Sequence, residues 1–465
     1  MRTSFRQLAA SASTILAASL LPLAAVDLVT LPAPDQTPEG WSPRTPRAEI
    51  APNFSVEKSD NNTHLVLQSP GDKGCNGHWA HTFEIEGSKH YHFQAFRLAE
   101  NVATPNQSIL VRIEWSDADG NRVSSPHPVN ATYFGTGTDH ARPDFPRDQG
   151  LTADGWTEVS DTYLAPPDAT QAEVQLTLRW TPNGRVAWRD ITMEACPAPK
   201  PRKVILATVH SDLRGGESAL QNLDQLKPLI QEAGAKNADL LVLPECVDTK
   251  SNGLTVAEGA DSLDECTAFL GDLAKEYNMY IVAGLHERED NLIYNVAVLL
   301  NPDGELAGSY RKCTLPREEI AGGVQPGREY PVFDTRFGKL GMMVCYDVFH
   351  PEVARNLALN GAEIIAVPVW GANPTLAAAR CIENHVYLVT STYTDHDHDW
   401  MKSAIWDREG QRLAEGTKWN TLVLAEVDLN QPTYWRHLGD FQSRIQRERP
   451  LPPESGAHSG KPVLP

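Results

Sequence analysis

Residues 204–245 read VILATVHSDLRGGESALQNLDQLKPLIQEAGAKNADLLVLPE. The opening VILATV is apolar without alternation, the pattern of a strand covered on both faces. Within Glu217–Ala233, Leu220, Leu223, Leu226, Leu229 and Ile230 recur at helical spacing and form one apolar stripe. Leu240–Leu243 is a second unbroken apolar run. Strand, amphipathic helix and strand in this order build an α/β layered domain. The pattern continues downstream, with a helix expected around Leu263–Tyr277. Further strands are expected at Tyr280–Leu285, Val296–Leu300, Leu340–Val344, Ile364–Val369, Val386–Thr390 and Leu422–Val427. This domain is expected to span residues 202–465, with an irregular tail from about Asn430.

Upstream, Pro197-Ala198-Pro199-Lys200-Pro201 is a short Pro-rich joint. Before it, residues 48–197 change to short strands such as His64–Gln68, His90–Phe96, Ile109–Trp115 and Ala172–Trp180. In the last, Val174, Leu176, Leu178 and Trp180 alternate and should share one face. Such strands, punctuated by Gly and Asn turns, predict an all-β sandwich. Residues 27–47 carry Pro32, Pro34, Pro38, Pro43 and Pro46 and read as an extended linker. Arg2 and Arg6 precede an uncharged, Ala- and Leu-rich run from Gln7 to Val26. Residues 1–26 therefore read as an export signal, placing the protein in the periplasm or outside the cell. Ser11, Ser13, Thr14, Ser19 and Pro22 argue against a permanent anchor, so the mature chain is expected to lack a transmembrane segment.

The chain has 465 residues, with 41 Lys plus Arg against 60 Asp plus Glu, a formal charge of −19. That excess of negative charge excludes nucleic acid as an expected partner. Seven cysteines cannot all pair and are too sparse for a disulfide scaffold. Cys75 and Cys196 are the only two in the first body, and the sequence leaves their pairing open.

Three places break the local logic of the α/β domain. Leu240–Leu243 runs into Pro244-Glu245, Tyr310-Arg311-Lys312 precedes Cys313-Thr314-Leu315-Pro316, and the apolar run Gly341–Val344 ends in Cys345-Tyr346-Asp347. Taken singly, these are a loop acid, a surface lysine and a core thiol. Together, Glu, Lys and Cys each close a different strand, and α/β sheets place active groups at strand ends. This order resembles the carbon–nitrogen hydrolase (nitrilase) superfamily over about residues 202–450. Pro326-Gly327, Phe333–Gly338, Gly361-Ala362-Glu363, Pro351-Glu352, and Arg380 with Glu383-Asn384 add to the likeness. The resemblance implies a four-layer αββα sandwich, self-association into a homo-oligomer, and a cysteine nucleophile acting on a non-peptide C–N bond. It implies no cofactor and no metal.

On that resemblance Cys345 is the nucleophile and Glu245 the general base, with a raised pKa. Lys312 and the backbone N–H of Tyr346 would stabilise the oxyanion. A second acid is expected beside Lys312; it is assigned to Glu319, with Glu318 as the alternative. Cys246 and Cys313 adjoin Glu245 and Lys312, and in extended backbone their side chains would turn away. Cys266 and Cys381 read as helix packing residues. Asp395-His396-Asp397-His398-Asp399 lacks defined ligand spacing and reads as a polar loop. His78, Trp79, His81, His90 and His92 are assigned no role.

The expected activity is hydrolysis of a small amide or N-carbamoyl compound through a cysteine thioester. A true nitrilase is one alternative. The other is a surface- or carbohydrate-binding protein whose hydrolase domain is secondary.

Overall fold

The computed structural model describes residues 28–59, 62–127, 129–131, 140–435 and 438–450. The export signal expected in residues 1–26 lies outside them. Among the described residues no helix is long and apolar enough to cross a membrane.

The run that opens the α/β part is the strand Lys203–His210. It pairs in parallel with Leu240–Val242, which pairs in parallel with Tyr280–Glu289. Antiparallel neighbours Leu292–Leu300, Leu306–Arg311 and Thr421–Asp428 complete a six-stranded sheet. A second six-stranded sheet holds Val332–Asp334, Lys339–Met342, Ile364–Pro368, Tyr387–Ser391, Ala404–Trp406 and Arg412–Glu415.

Strand alternation explains why both faces of the first sheet are apolar. Val204, Leu206, Leu240, Val242, Val282, Ala297 and Leu299 face the second sheet and share a core with Leu340, Met342 and Ile364. Ala207, Val209, Leu241, Leu243, Ile281 and Val298 face the helices Ala219–Ala235 and Leu263–Glu276. The helices Pro351–Leu359 and Pro374–Asn384 add Val353, Leu357, Ala377 and Cys381 to the core on the second sheet's side. The result is an α/β sandwich. Thr208 Oγ1 donates to Thr390 O at 2.8 Å and Ser391 Oγ to Val209 O at 3.0 Å, tying the two sheets together.

Residues 29–196 form two antiparallel sheets. One has five strands in the order Val29–Thr30, Ser42–Thr45, Asn76–Glu84, Gln171–Arg179, Ile109–Ser116. The other has six: Asn53–Ser59, Asn62–Gln68, Arg185–Cys196, His90–Glu100, Thr157–Leu164, Arg147–Leu151. Trp79, Phe93, Leu176, Leu178 and Trp188 lie between them, and Trp79 Nε1 donates across to Val66 O at 3.1 Å.

Three expectations are corrected here, and one open question is answered. Residues 27–47 are not only a linker, because Ser42–Thr45 joins the five-stranded sheet beside Asn76–Glu84. Pro43 is tolerated because its carbonyl, which accepts from Leu31 N at 3.0 Å, makes the bond. Trp180 does not share the inward face. Its φ of 56° ends the alternation after Leu178, and the residue is 45% exposed. The described part of the C-terminal segment is not irregular. Tyr434–Trp435 pairs with Val129–Ala131 and with Gly439–Asp440, and Phe441–Glu448 is a helix. Ser443 and Gln446 of that helix line a cavity with Ile109, Val111 and Trp188, so it packs on the first body. Cys75 and Cys196 are unbridged. Cys75 sits beside Trp180, at the Arg185 end of the 12-residue strand Arg185–Cys196. At ~3.3 Å per residue, that strand carries Cys196 roughly 35 Å away, far beyond disulfide reach.

Candidate active site

Glu245 follows the strand Leu240–Val242 and is 2% exposed. Its segment stays stitched to the neighbouring strand. Leu243 N donates to Val282 O, Gly284 N to Pro244 O and Val247 N to Gly284 O, at 2.8 to 3.0 Å. Position 284 must be glycine, since a Cβ there would lie 2.5 Å from Glu245 Cα. Lys312 follows the strand Leu306–Arg311 and is 1% exposed. Its N–H donates to Asn295 O at 2.9 Å and its carbonyl accepts from Gly327 N at 2.8 Å. A Cβ on Gly327 would lie 2.1 Å from Arg311 O, which accounts for the glycine of Pro326-Gly327.

Cys345 begins a short 3-10 turn, Cys345–Phe349, and has a left-handed φ of 44°. A non-glycine residue there is held in strain by its surroundings. Asp347 holds it. Its Oδ2 accepts from Val344 N at 2.9 Å and Tyr310 Oη at 2.8 Å. Its Oδ1 accepts from Thr314 N at 2.9 Å and Thr314 Oγ1 at 2.7 Å. The donors Tyr310 and Thr314 flank Lys312, so one carboxylate locks the cysteine turn to the lysine loop. Tyr346 follows Cys345 in the first positions of the turn, where backbone N–H groups have no acceptor within the helix.

The side chains converge in one buried cage. Lys312 Nζ donates to Glu245 Oε1 at 2.8 Å and to Glu319 Oε1 at 2.6 Å. Asn295 Nδ2 donates to the same two oxygens at 2.8 and 3.1 Å. Glu245 Oε2 accepts from Trp370 N at 2.8 Å, and Cys345 Sγ lies 3.4 Å from Gly371 O. Glu319, on the short helix Arg317–Ala321, is the acid that reaches Lys312, while Glu318 is exposed.

Electrostatics divides the labour. Burial alone would raise the Glu245 pKa, but the Lys312 charge and hydrogen bonds from Lys312, Cys345 and Asn295 outweigh it. The carboxyl is held below its ordinary range, which corrects the expectation of a raised base. Glu319 is the raised acid, through burial and the Glu245 charge, against the pull of Lys312. Burial opposes the Lys312 charge, yet Glu245, Cys345 and Glu319 together hold its pKa well above normal. Burial and Glu245 push the Cys345 thiol up. The cage therefore places a thiol that burial keeps protonated beside an ionised carboxylate, with a fixed cation alongside. That arrangement can pass a proton from sulfur to carboxylate and hold negative charge on an attacked carbonyl oxygen.

Cys246 has a φ of 49°, so left-handed backbone, not extended alternation, turns it from Glu245. Its Sγ lies 3.7 Å from His286 Nε2, and His286 Nδ1 is 3.1 Å from Asp248. Cys313 Sγ faces the carbonyls of Arg311 and Glu329, both at 3.6 Å. Cys266 and Cys381 are buried in their helices. In the Asp395–Asp399 loop, His396 Nε2 is 2.8 Å from Glu415. Among the described residues no three His, Cys, Asp or Glu side chains converge as a metal site. Sequence reasoning missed Asn295 and did not single out Asp347. Asn295 interrupts the otherwise apolar 293–300, and Asp347 was quoted only as part of a motif.

Residues 214–437 match the family model described as carbon–nitrogen hydrolase. A nitrilase of Pyrococcus abyssi is 38% identical over 223 residues, which are 45% of this chain and 84% of the relative. An omega-amidase of Xenopus laevis is 30% identical over 257 residues, 50% of this chain and 90% of the relative. A solved carbon–nitrogen hydrolase of Helicobacter pylori G27 aligns with a TM-score of 0.47 at 23% identity, covering 56% of this chain and 99% of that one.

Proposed function

The chain belongs to the carbon–nitrogen hydrolase superfamily and is an amidase-type hydrolase; from that premise we propose that it cleaves a small amide or N-carbamoyl compound through a thioester on Cys345. The observation that carries this reading is the buried contact of Lys312 with both Glu245 and Glu319 beside the Cys345 thiol.

In this reading Glu245 takes the thiol proton as Sγ attacks the carbonyl carbon. The oxyanion forms against Lys312 Nζ and the Tyr346 N–H. The C–N bond breaks, Glu245 returns its proton to the leaving nitrogen, and ammonia departs. Water then attacks the thioester with Glu245 as base. The C–S bond breaks, the acid leaves, and the proton returns to Cys345. Glu319 holds Lys312 in place through a second carboxylate contact. Trp370 and Trp400 expose their indoles beside the loop that bonds Glu245, which favours a substrate with an apolar face.

The strands before Cys196 are proposed to form a separate sandwich domain. The Arg2 to Val26 segment is proposed to export the protein. The test is a screen of small amides, ureido acids and nitriles for released ammonia, followed by mass spectrometry of the trapped enzyme. The expected acyl adduct lies on the peptide containing Cys345, and Cys345→Ala abolishes turnover with the fold intact. An adduct on Cys246 or Cys313 would overturn the assignment.

A further inference from the structure

Trp180 lies outside the hydrolase cage, at the turn that ends the strand Gln171–Arg179. Its N–H donates to Cys75 O at 2.7 Å, fixing the left-handed backbone that turns the indole outward. The Arg179 guanidinium lies over the ring, 3.9 Å from its centre. Next to it runs the C-terminal helix Phe441–Glu448. Between them is an open pocket of about 720 Å³ lined by Lys73, Arg179, Trp180, Pro182, Arg447, Glu448 and Arg449. Four of those seven are basic and one is acidic, in a chain whose net charge is −19.

Arg179 and Arg447 are incompletely compensated. Arg179 Nε donates to Gln107 O at 3.0 Å and Nη2 to Arg447 O at 3.4 Å, both neutral acceptors. Arg447 is 5% exposed and stacks on Phe145. Its Nη1 donates to Ser443 O, but Nη2 has no hydrogen-bond acceptor, only the Glu448 carboxylate 3.4 Å away. Burial pulls Arg447 down to about 9 and Arg179 to about 10. Arg447 is too buried to touch a ligand itself, but its incompletely balanced charge beneath the pocket favours an incoming anion over a neutral ligand.

We propose that this pocket binds an acidic oligosaccharide, the indole of Trp180 stacking on a sugar ring while the surrounding Lys and Arg groups meet its carboxylate or sulfate. An aromatic platform ringed by cations matches a ligand with an apolar ring face and charge at its rim. An acidic peptide carries its charge on flexible stems and offers no such face. The proposal does not depend on the hydrolase reading, because no cage residue lines the pocket.

The test uses the full chain and isothermal titration calorimetry, with trigalacturonate and a heparin-derived tetrasaccharide as probes. The uncharged methyl ester of trigalacturonate and hexaglutamate serve as comparisons. At least one acidic saccharide should bind, and the response of the two identifies carboxylate or sulfate as the recognised group. Trp180→Ala and, separately, Arg449→Gln should each weaken it about tenfold. Amide turnover should stay unchanged in both. Raising salt should weaken binding too. Failure of both saccharides to bind at millimolar concentration overturns the proposal. So does binding that survives Trp180→Ala, an ester that binds as tightly as the acid, or tighter binding of hexaglutamate.

Discussion

Lys312 Nζ holds two carboxylates at once, and that shared contact sets the behaviour of both. Lys312→Gln removes the cation while keeping a polar group of similar reach. If the ammonium stabilises the oxyanion, kcat should fall on the order of 100- to 1000-fold with little change in KM. The same substitution removes the charge that holds Glu245 below its ordinary range. A base works only when ionised, so the acid limb of the residual pH–rate profile should move to higher pH than in the wild type. Near-normal turnover in steady-state kinetics would show that Lys312 takes no part. Glu245 and Cys345 were legible because each closes an apolar run, but all three, Lys312 included, gained their roles only because their order resembles the carbon–nitrogen hydrolase pattern. The pKa of Glu245 was not, because it depends on Asn295 and on neighbours brought in from other strands. Asn295 is a single polar residue within an otherwise apolar stretch and carries no signal of its own until the fold lays it over two carboxylates.

Between cysteine strand and lysine loop, Asp347 is the joint. Four donors from three residues converge on its two oxygens. Asp347→Asn replaces one acceptor oxygen by a donor, leaving either the Thr314 pair or the Val344 and Tyr310 pair facing N–H groups. Each buried donor left unpaired costs about 1–3 kcal/mol, so denaturant melts should show a loss of at least roughly 2 kcal/mol. Turnover should fall as well, since the left-handed turn at Cys345 loses its brace. An Asp347→Asn protein with wild-type stability would remove the joint from this account. At this scale the central strands of both sheets and the helices Ala219–Ala235 and Leu263–Glu276 were legible because burial on two faces writes continuous apolar runs, whereas the short strands Val332–Asp334, Ala404–Trp406 and Arg412–Glu415 and the helix Pro351–Leu359 were not expected. Ser42–Thr45 was not, because a short strand beside prolines has no periodicity to read. Trp180 continued a perfect alternation on paper, and one left-handed residue undid it. The tail was misread because its helix carries mostly polar residues, with Ile445 and Arg447 as its buried positions.

Across the whole molecule the Pro-rich joint at residues 197–201 was the visible seam, and the C-terminal segment crosses back over it. Every hydrogen-bond partner of the cage lies between Pro244 and Gly371. A chain starting at Pro201 should therefore keep near-normal turnover per folded molecule on a small amide, but melt at lower temperature. A folded yet inert truncation would mean that the first body completes the active site. The crossing also carries a titration. Asp144 of the first body is buried. Its Oδ2 accepts from Trp115 Nε1 at 2.7 Å and its Oδ1 from Tyr434 Oη of the tail at 3.4 Å. Burial pushes its pKa up to about 7; the Trp115 bond pulls the other way, and Asp440 and Asp161 add to the rise. A carboxyl raised in the folded state favours folding fully below its unfolded value of 3.8, and that contribution is lost as pH climbs through about 7. Melting temperature should therefore drop as pH rises from about 4 to about 7, and this contribution should level off above it. Asp144→Asn, which stays neutral throughout, should make that drop shallower in a thermal-shift series. An unchanged slope would move the pH sensitivity elsewhere and leave Asp144 as a neutral strut beneath the tail.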